Sequence, residues 1–222
     1  MNGIVKGAVS KAIQAFATFP GALAIARNGG SELTLRSATL GFLEQAGFVT
    51  FTEELSRYSC AVENRSEEGG VASVPATRHD IVLRCPCNKP LAVVELKHNL
   101  AHRQQLGFVR AERDGVKARL LPLSSGTEYP VYYYTHFVFG LECEDRSWLA
   151  ALHNSIMGDT YKAFQSREAL AAAWNAVSDA LGVDLTFGPL PVNSPADVHA
   201  RAELRCWIFQ VCDGQMTVLP NN

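Results

Sequence analysis

Apolar side chains near the amino terminus fall at Ile4/Val5, Ala8/Val9, Ala12/Ile13 and Phe16, the recurrence of a single helical face. Lys6 and Lys11, followed by apolar sequence as far as Ala24-Ile25-Ala26, imitate a secretion signal, but Gln14, Pro20 and Gly21 interrupt the continuous apolar region such a signal needs. The pattern predicts an amphipathic helical segment within residues 1–30. After Asn28-Gly29-Gly30, Ser31-Glu32 opens an apolar-rich stretch over 33–46 that stops at Gly47, which are helix start and stop signals. Residues 48–52, Phe-Val-Thr-Phe-Thr, read as a strand on β-branched and aromatic content. Residues 63–76 are polar, glycine-containing and without period, as a surface loop is.

Two short apolar runs follow, at 81–83 and 91–94, separated by the turn formers Cys85-Pro86-Cys87-Asn88-Lys89-Pro90. They predict a β-hairpin. Residues 99–117 are compatible with a helix despite Gly107, and 131–141 form a long aromatic and β-branched strand. Farther on, 148–154 and 167–181 look helical. The strands 203–211 and 216–219 flank Asp213-Gly214, a hairpin turn signal. There is no internal repeat, and the proline-bearing 188–195 stretch is the one weak linker candidate.

A chain of 222 residues fits one domain with a core that needs no staples. The reading is therefore a single unit over 1–222, with an N-terminal helical segment (1–30), a core (31–142) and a C-terminal helical and hairpin extension (143–222). Formal net charge is −2, so a nucleic-acid surface has to be a local patch. The six cysteines show no repeated pair spacing, and reduced thiols in a cytoplasmic protein are expected. Cys85-Pro86-Cys87 resembles half of a metal site, but no second Cys/His pair at finger spacing accompanies it. No apolar run approaches about 18 residues, so no transmembrane segment is expected. Walker, nucleophile-elbow, His-Glu-x-x-His and dinucleotide patterns are all missing from the sequence.

The hairpin concentrates the chemistry. Alternation puts Glu95 and Lys97 on one strand face, and Val94 and Leu96 on the other. If the turn centres between Cys87 and Asn88, Val82 opposes Val93 and Asp80 opposes Glu95. Two opposed carboxylates repel and call for cationic compensation, which Lys97 and a divalent ion would supply. Hard oxygen ligands, with phosphate from a substrate, are what Mg²⁺ prefers.

Asp80, fourteen intervening residues, and Glu95-Leu96-Lys97 within the strand Val93-Val94-Glu95-Leu96-Lys97 resemble the PD-(D/E)XK nuclease superfamily. The helix–strand unit before them and the helix after them fit that family's αβββαβ order over about 31–142. The resemblance implies an α/β (α+β) fold of restriction-endonuclease-like type, a mixed central sheet flanked by helices. It also implies hydrolysis of phosphodiester bonds with Mg²⁺ or Mn²⁺ as cofactor. Asp80 and Glu95 would bind the metal with the Leu96 carbonyl. Lys97 would position the attacking water, and Glu32, or in second place Glu44, would supply a further acid from the first core helix. His79 stands where the family name advertises proline.

Beside this motif lie six basic residues, Lys97, Arg103, Arg110, Arg113, Lys117 and Arg119, against Glu112 and Asp114. Arg103, Arg110, Arg113 and Lys117, with Gln104, are candidate phosphate contacts. A solvated helix face is the plain alternative. His98, His102 and Gln105 are less pointed candidates. The aromatic positions Tyr132, Tyr133, Tyr134, Phe137 and Phe139 suit base stacking, although strand spacing makes them core on one face and partly exposed on the other. Trp148, Trp174 and Trp207 read as core. DNA is the expected partner ahead of RNA, with no membrane, and a homodimer or protein partner is compatible with the pattern. The rival reading is a non-catalytic nucleic-acid- or protein-binding module on the same fold.

Overall fold

The computed structural model describes residues 1–19, 31–56, 77–100, 106–124, 129–145, 164, 166–182, 185–190 and 197–219. Among them are four helices, α1 (Asn2–Thr18), α2 (Ser31–Gln45), α3 (Leu106–Ser124) and α4 (Arg167–Leu181). The strands are β1 (Val49–Ser56), β2 (Thr77–Arg84), β3 (Pro90–Leu100), β4 (Tyr132–Cys143), β5 (Leu185–Leu190), β6 (Ala200–Cys212) and β7 (Gln215–Val218). They form one mixed sheet of order β1-β2-β3-β4-β6-β5, with β7 added to β6. The fold is mixed α/β, and over α2 to β4 the order is helix, three strands, helix, strand.

Helices cover both faces. Val5, Val9, Ile13 and Phe16 of α1 and Leu35 and Leu43 of α2 pack on Ile81, Leu83, Val94, Leu96, Phe137 and Leu204. On the opposite face Val109, Val116 and Leu120 of α3 and Leu170, Trp174 and Val177 of α4 cover Val82, Val93, Tyr132, Tyr134, Trp207 and Phe209. The apolar stripe of α1 is the one its sequence spacing predicts, and Tyr133 Oη ties the helix down by donating to Asn2 Oδ1 at 2.5 Å. No described helix is long and apolar enough to cross a membrane.

Several boundaries move. Residues 99–100 extend β3, and the following helix begins at Leu106 and not at 99. The 188–195 linker candidate is corrected in its first part, because β5 runs through Gly188 and Pro189 and pairs with β6. Its register slips between Phe187 and Pro189, as suits a proline that lacks an N–H on a sheet edge. The C-terminal third completes the central sheet, since β6 pairs with every residue of β4 from Tyr132 to Cys143. Asp213 (φ 50°) and Gly214 (φ 72°) close the last hairpin, both in the left-handed region that a two-residue turn requires. The 63–76 loop, the 148–154 helix and Trp148 lie outside the described residues.

At the β2–β3 turn the expectation of reduced thiols is corrected. Cys85 and Cys87, with Cα atoms 5.2 Å apart, are joined by a disulfide, which removes them as half of a thiolate metal site. Among the described residues, Cys143, Cys206 and Cys212 are in no disulfide.

Candidate active site

The hairpin pairs Ile81 with Val94, Val82 with Val93 and Leu83 with Ala92, the register read from its sequence. The ladder stops there. Below Ile81, β2 stays with β1, through Glu54–His79 to Ser56–Thr77, while β3 continues beside β4 to Leu100–Phe139. The two strands part, and the edge of β3 beyond Val94 loses its antiparallel neighbour.

Carboxylates take over that edge. Asp80 Oδ2 accepts the Leu96 N–H at 2.8 Å, and Glu32, in the first turn of α2, accepts the His98 N–H. A residue in an extended strand directs its N–H and C=O to the same neighbour, so the Leu96 carbonyl points to the same open edge, between the two carboxylates. N–H groups two residues apart on a strand are about 7 Å apart. Lys97 Nζ lies 3.5 Å from Glu32 Oε1, and Arg36 Nη1 lies 3.5 Å from Asp80 Oδ1.

Both acids pay electrostatically for this position. Burial raises the Asp80 carboxyl above its usual range; the Leu96 N–H opposes the shift, the Glu95 charge adds to it, and Lys97 and Arg36 oppose it. Burial also raises Glu32, with Lys97 pulling its carboxyl down and Asp80 pushing it up. The charges therefore sense one another across the gap.

Glu95 is held differently. It is 2 % exposed; Oε1 lies 2.8 Å from His79 Nδ1, and Oε2 accepts from Arg119 Nη2 at 3.1 Å. Strict alternation from Val82 would send Asp80 to the α3 side with Glu95. Instead the His79 ring comes to that side, against Tyr132 at 5.7 Å and Tyr129 at 6.2 Å. Asp80 turns into the gap toward α2. His79 thus meets Glu95 where the sequence register alone suggests Asp80.

Arg36, His79 and Arg119 are the contacts that sequence reasoning did not assign to this site. Of these, only Arg119 carried a signal, as one of the basic residues after Lys97. Glu44 is displaced as a candidate: it accepts from Thr50 Oγ1 at 2.6 Å. It also lies twelve residues along α2 from Glu32, about 18 Å at helical rise.

The basic residues of α3 divide. At 3.6 residues per turn, Arg110, Arg113 and Lys117 share one flank and Arg119 the other. Arg113 joins the C-terminal end of α4 by donating to the Ala180 carbonyl, and it also pairs with Asp114. Arg110 and Lys117 are exposed. Arg103, Gln104, His102 and Gln105 lie outside the described residues. The aromatic positions of β4 are buried on both faces, which corrects the expectation of a partly exposed face and removes Tyr132, Tyr133, Tyr134, Phe137 and Phe139 as stacking platforms. Behind Lys97, His98 Nε2 is buried without a partner, and His136 Nδ1 lies 2.5 Å from Tyr134 Oη.

Asp80, Glu32, the Leu96 carbonyl and Glu95 are all hard oxygen donors, the type suited to Mg²⁺ or Mn²⁺. Among the described residues no three His, Cys, Asp or Glu side chains already surround a common point. Mg²⁺ is commonly held by one or two carboxylates, waters and substrate phosphate; Asp80, Glu32 and the Leu96 carbonyl fit that mode, whereas both Glu95 oxygens are already bonded to His79 and Arg119. No protein-family model, curated protein or solved structure matches the chain.

Proposed function

We propose that the chain is a divalent-metal-dependent nuclease acting on DNA, with its site in the gap between β2 and β3. One observation carries the reading: Asp80 and Glu32 accept the Leu96 and His98 N–H groups on the open edge of β3, which flanks the Leu96 carbonyl with two carboxylates beside Lys97. Asp80 and Leu96 would hold the cation, with Glu32 and Glu95 as neighbouring acids. A bound Mg²⁺ or Mn²⁺ supplies water activation and polarises a phosphoryl oxygen. Lys97, three-quarters buried and tethered to Glu32, orients the water and stabilises negative charge at the phosphate. His79 and Arg119 fix the Glu95 rotamer.

The test is a cleavage panel with Mn²⁺ and Mg²⁺ on plasmid, linear, single-stranded and branched DNA and on RNA. Lys97→Ala and Asp80→Asn proteins are run in parallel. Metal should raise Tm in the parent chain by ligand linkage and support cutting that both variants lose. An absence of both the Tm shift and the cutting would overturn the reading.

The alternative, a non-catalytic nucleic-acid- or protein-binding module, draws its support from Glu95, whose two oxygens already hold His79 and Arg119. In that case metal leaves Tm unchanged, and charge reversal at Arg110 or Lys117 weakens association with nucleic acid.

A further inference from the structure

A second polar site lies on the face of the sheet that α3 and α4 cover. Alternate residues of β6, Arg201, Glu203 and Arg205, stand opposite Glu142, Gly140 and Val138 of β4. Over this patch the N-terminal half of α4 brings Arg167, Leu170, Trp174 and Asn175, and together these residues enclose a pocket of about 260 Å³, room for roughly eight or nine waters at their liquid volume. Lys97 is paired with His136, six residues before Glu142, so the pocket lies about 20 Å along β4 from the level of Lys97.

Two polar groups at this pocket have no protein partner among the described residues: the Glu142 carboxylate, which lines it, and the Trp174 N–H, which is sealed within its wall. Glu142 is 4 % exposed, and among the described residues no side chain bonds or pairs with its carboxylate. Trp174 is 2 % exposed, with a buried Nε1–H that donates to nothing. Neighbouring charges have settled elsewhere, since Arg201 and Arg205 both reach Glu203, at 2.7 and 3.6 Å. A buried N–H without a partner costs free energy. The fold nevertheless maintains the arrangement: a Cβ on Gly140 would come within 2.6 Å of the Trp174 ring, so the glycine lets the indole lie on the strand.

We infer that this pocket binds a small zwitterion of α-amino-acid size. Its ammonium would meet Glu142, and its carboxylate would meet Arg167. Glu142 is acceptor-only and Arg167 donor-only, so neither an anion nor a cation alone satisfies both. A nucleobase fits less well. Trp174 already has the Arg205 guanidinium at 4.4 Å over its ring, and the residue is 2 % exposed, so its ring offers little surface to stack on.

The test is calorimetric titration of the full chain with each of the twenty free α-amino acids. Inorganic phosphate and the four ribonucleoside monophosphates are run alongside. At least one amino acid should bind one-to-one and raise Tm. Glu142→Gln, an isosteric change, should weaken that binding at least about tenfold, as loss of a charge-assisted bond does. Arg167→Gln should weaken it severalfold, while Lys97→Ala leaves it unchanged. Circular dichroism establishes that each variant is folded. Silence with every amino acid overturns the inference, as does equal binding by Glu142→Gln. Binding of phosphate alone, or of a nucleotide in preference to every amino acid, overturns the ligand class. Failure of the nuclease assay has no bearing on this result.

Discussion

His79 Nδ1 and Glu95 Oε1 lie 2.8 Å apart, both side chains essentially excluded from solvent. The histidine enters this pair because β2 leaves β3 directly after Ile81. It serves as the interior partner of an acid that would otherwise be held only by Arg119, whose side chain is 38 % exposed.

That asymmetry predicts unequal costs. His79→Ala removes a buried partner and should destabilise the fold by about 2–4 kcal/mol. Arg119→Ala, which removes a solvent-screened partner, should cost under about 1 kcal/mol. Urea unfolding of the two variants measures both, and equal losses would show that the histidine contact contributes nothing special.

Asp80 and Glu32 have carboxyls raised by burial, so the folded state favours their protonated forms. For each group the linked stability is greatest below its unfolded pKa and falls as pH rises through the folded value. Asp80→Asn keeps an oxygen for the Leu96 N–H and removes the charge. Its Tm should therefore exceed the parent's at neutral pH without metal, with the gap closing as pH falls into the carboxylate range. A parent chain more stable than Asp80→Asn at every pH would contradict this.

Behind Lys97, burial lowers His98 to about 4, and burial with the nearby His98, Lys97 and Arg113 charges lowers His136 to about 3. Both are neutral in the fold and protonate more readily once unfolded. Stability is full above the unfolded value near 6.5 and declines as pH falls toward the folded values. The slope is up to about 1.4 kcal/mol per pH unit for each histidine. Chemical unfolding between pH 7 and 4 should show this limb, and a His98→Asn/His136→Gln protein should flatten it.

Gly140 has no room for a side chain, with the Trp174 ring 2.6 Å and Leu170 Cδ1 2.8 Å from where a Cβ would sit. Gly140→Ala should cost about 1–3 kcal/mol by overpacking. In a Trp174→Leu background the same change should cost less. A double-mutant cycle with no coupling would place the strain elsewhere.

Much of the architecture was legible along the chain because it depends on local periodicity. The stripe of α1, the serine and glycine bounding α2, the hairpin register at Val82–Val93 and the Asp213-Gly214 turn are each written in neighbouring residues. The extent of β3 was not, since residues 99–100 carry no strand signature and are held extended by β4. The place of β6 beside β4 was equally hidden, because pairing between strands sixty residues apart leaves no local trace.

Sequence alone determined which charged groups stand near the end of the hairpin: Asp80, Glu95 and Lys97 follow from alternation and turn length. Tertiary structure decided how they are used. A strand specifies its partners only while it stays paired, and β2 departs after Ile81. From that point long-range packing of α2 and α3 sets the contacts, sending Asp80 to the Leu96 N–H, giving His79 to Glu95 and bringing Glu32 beside Lys97.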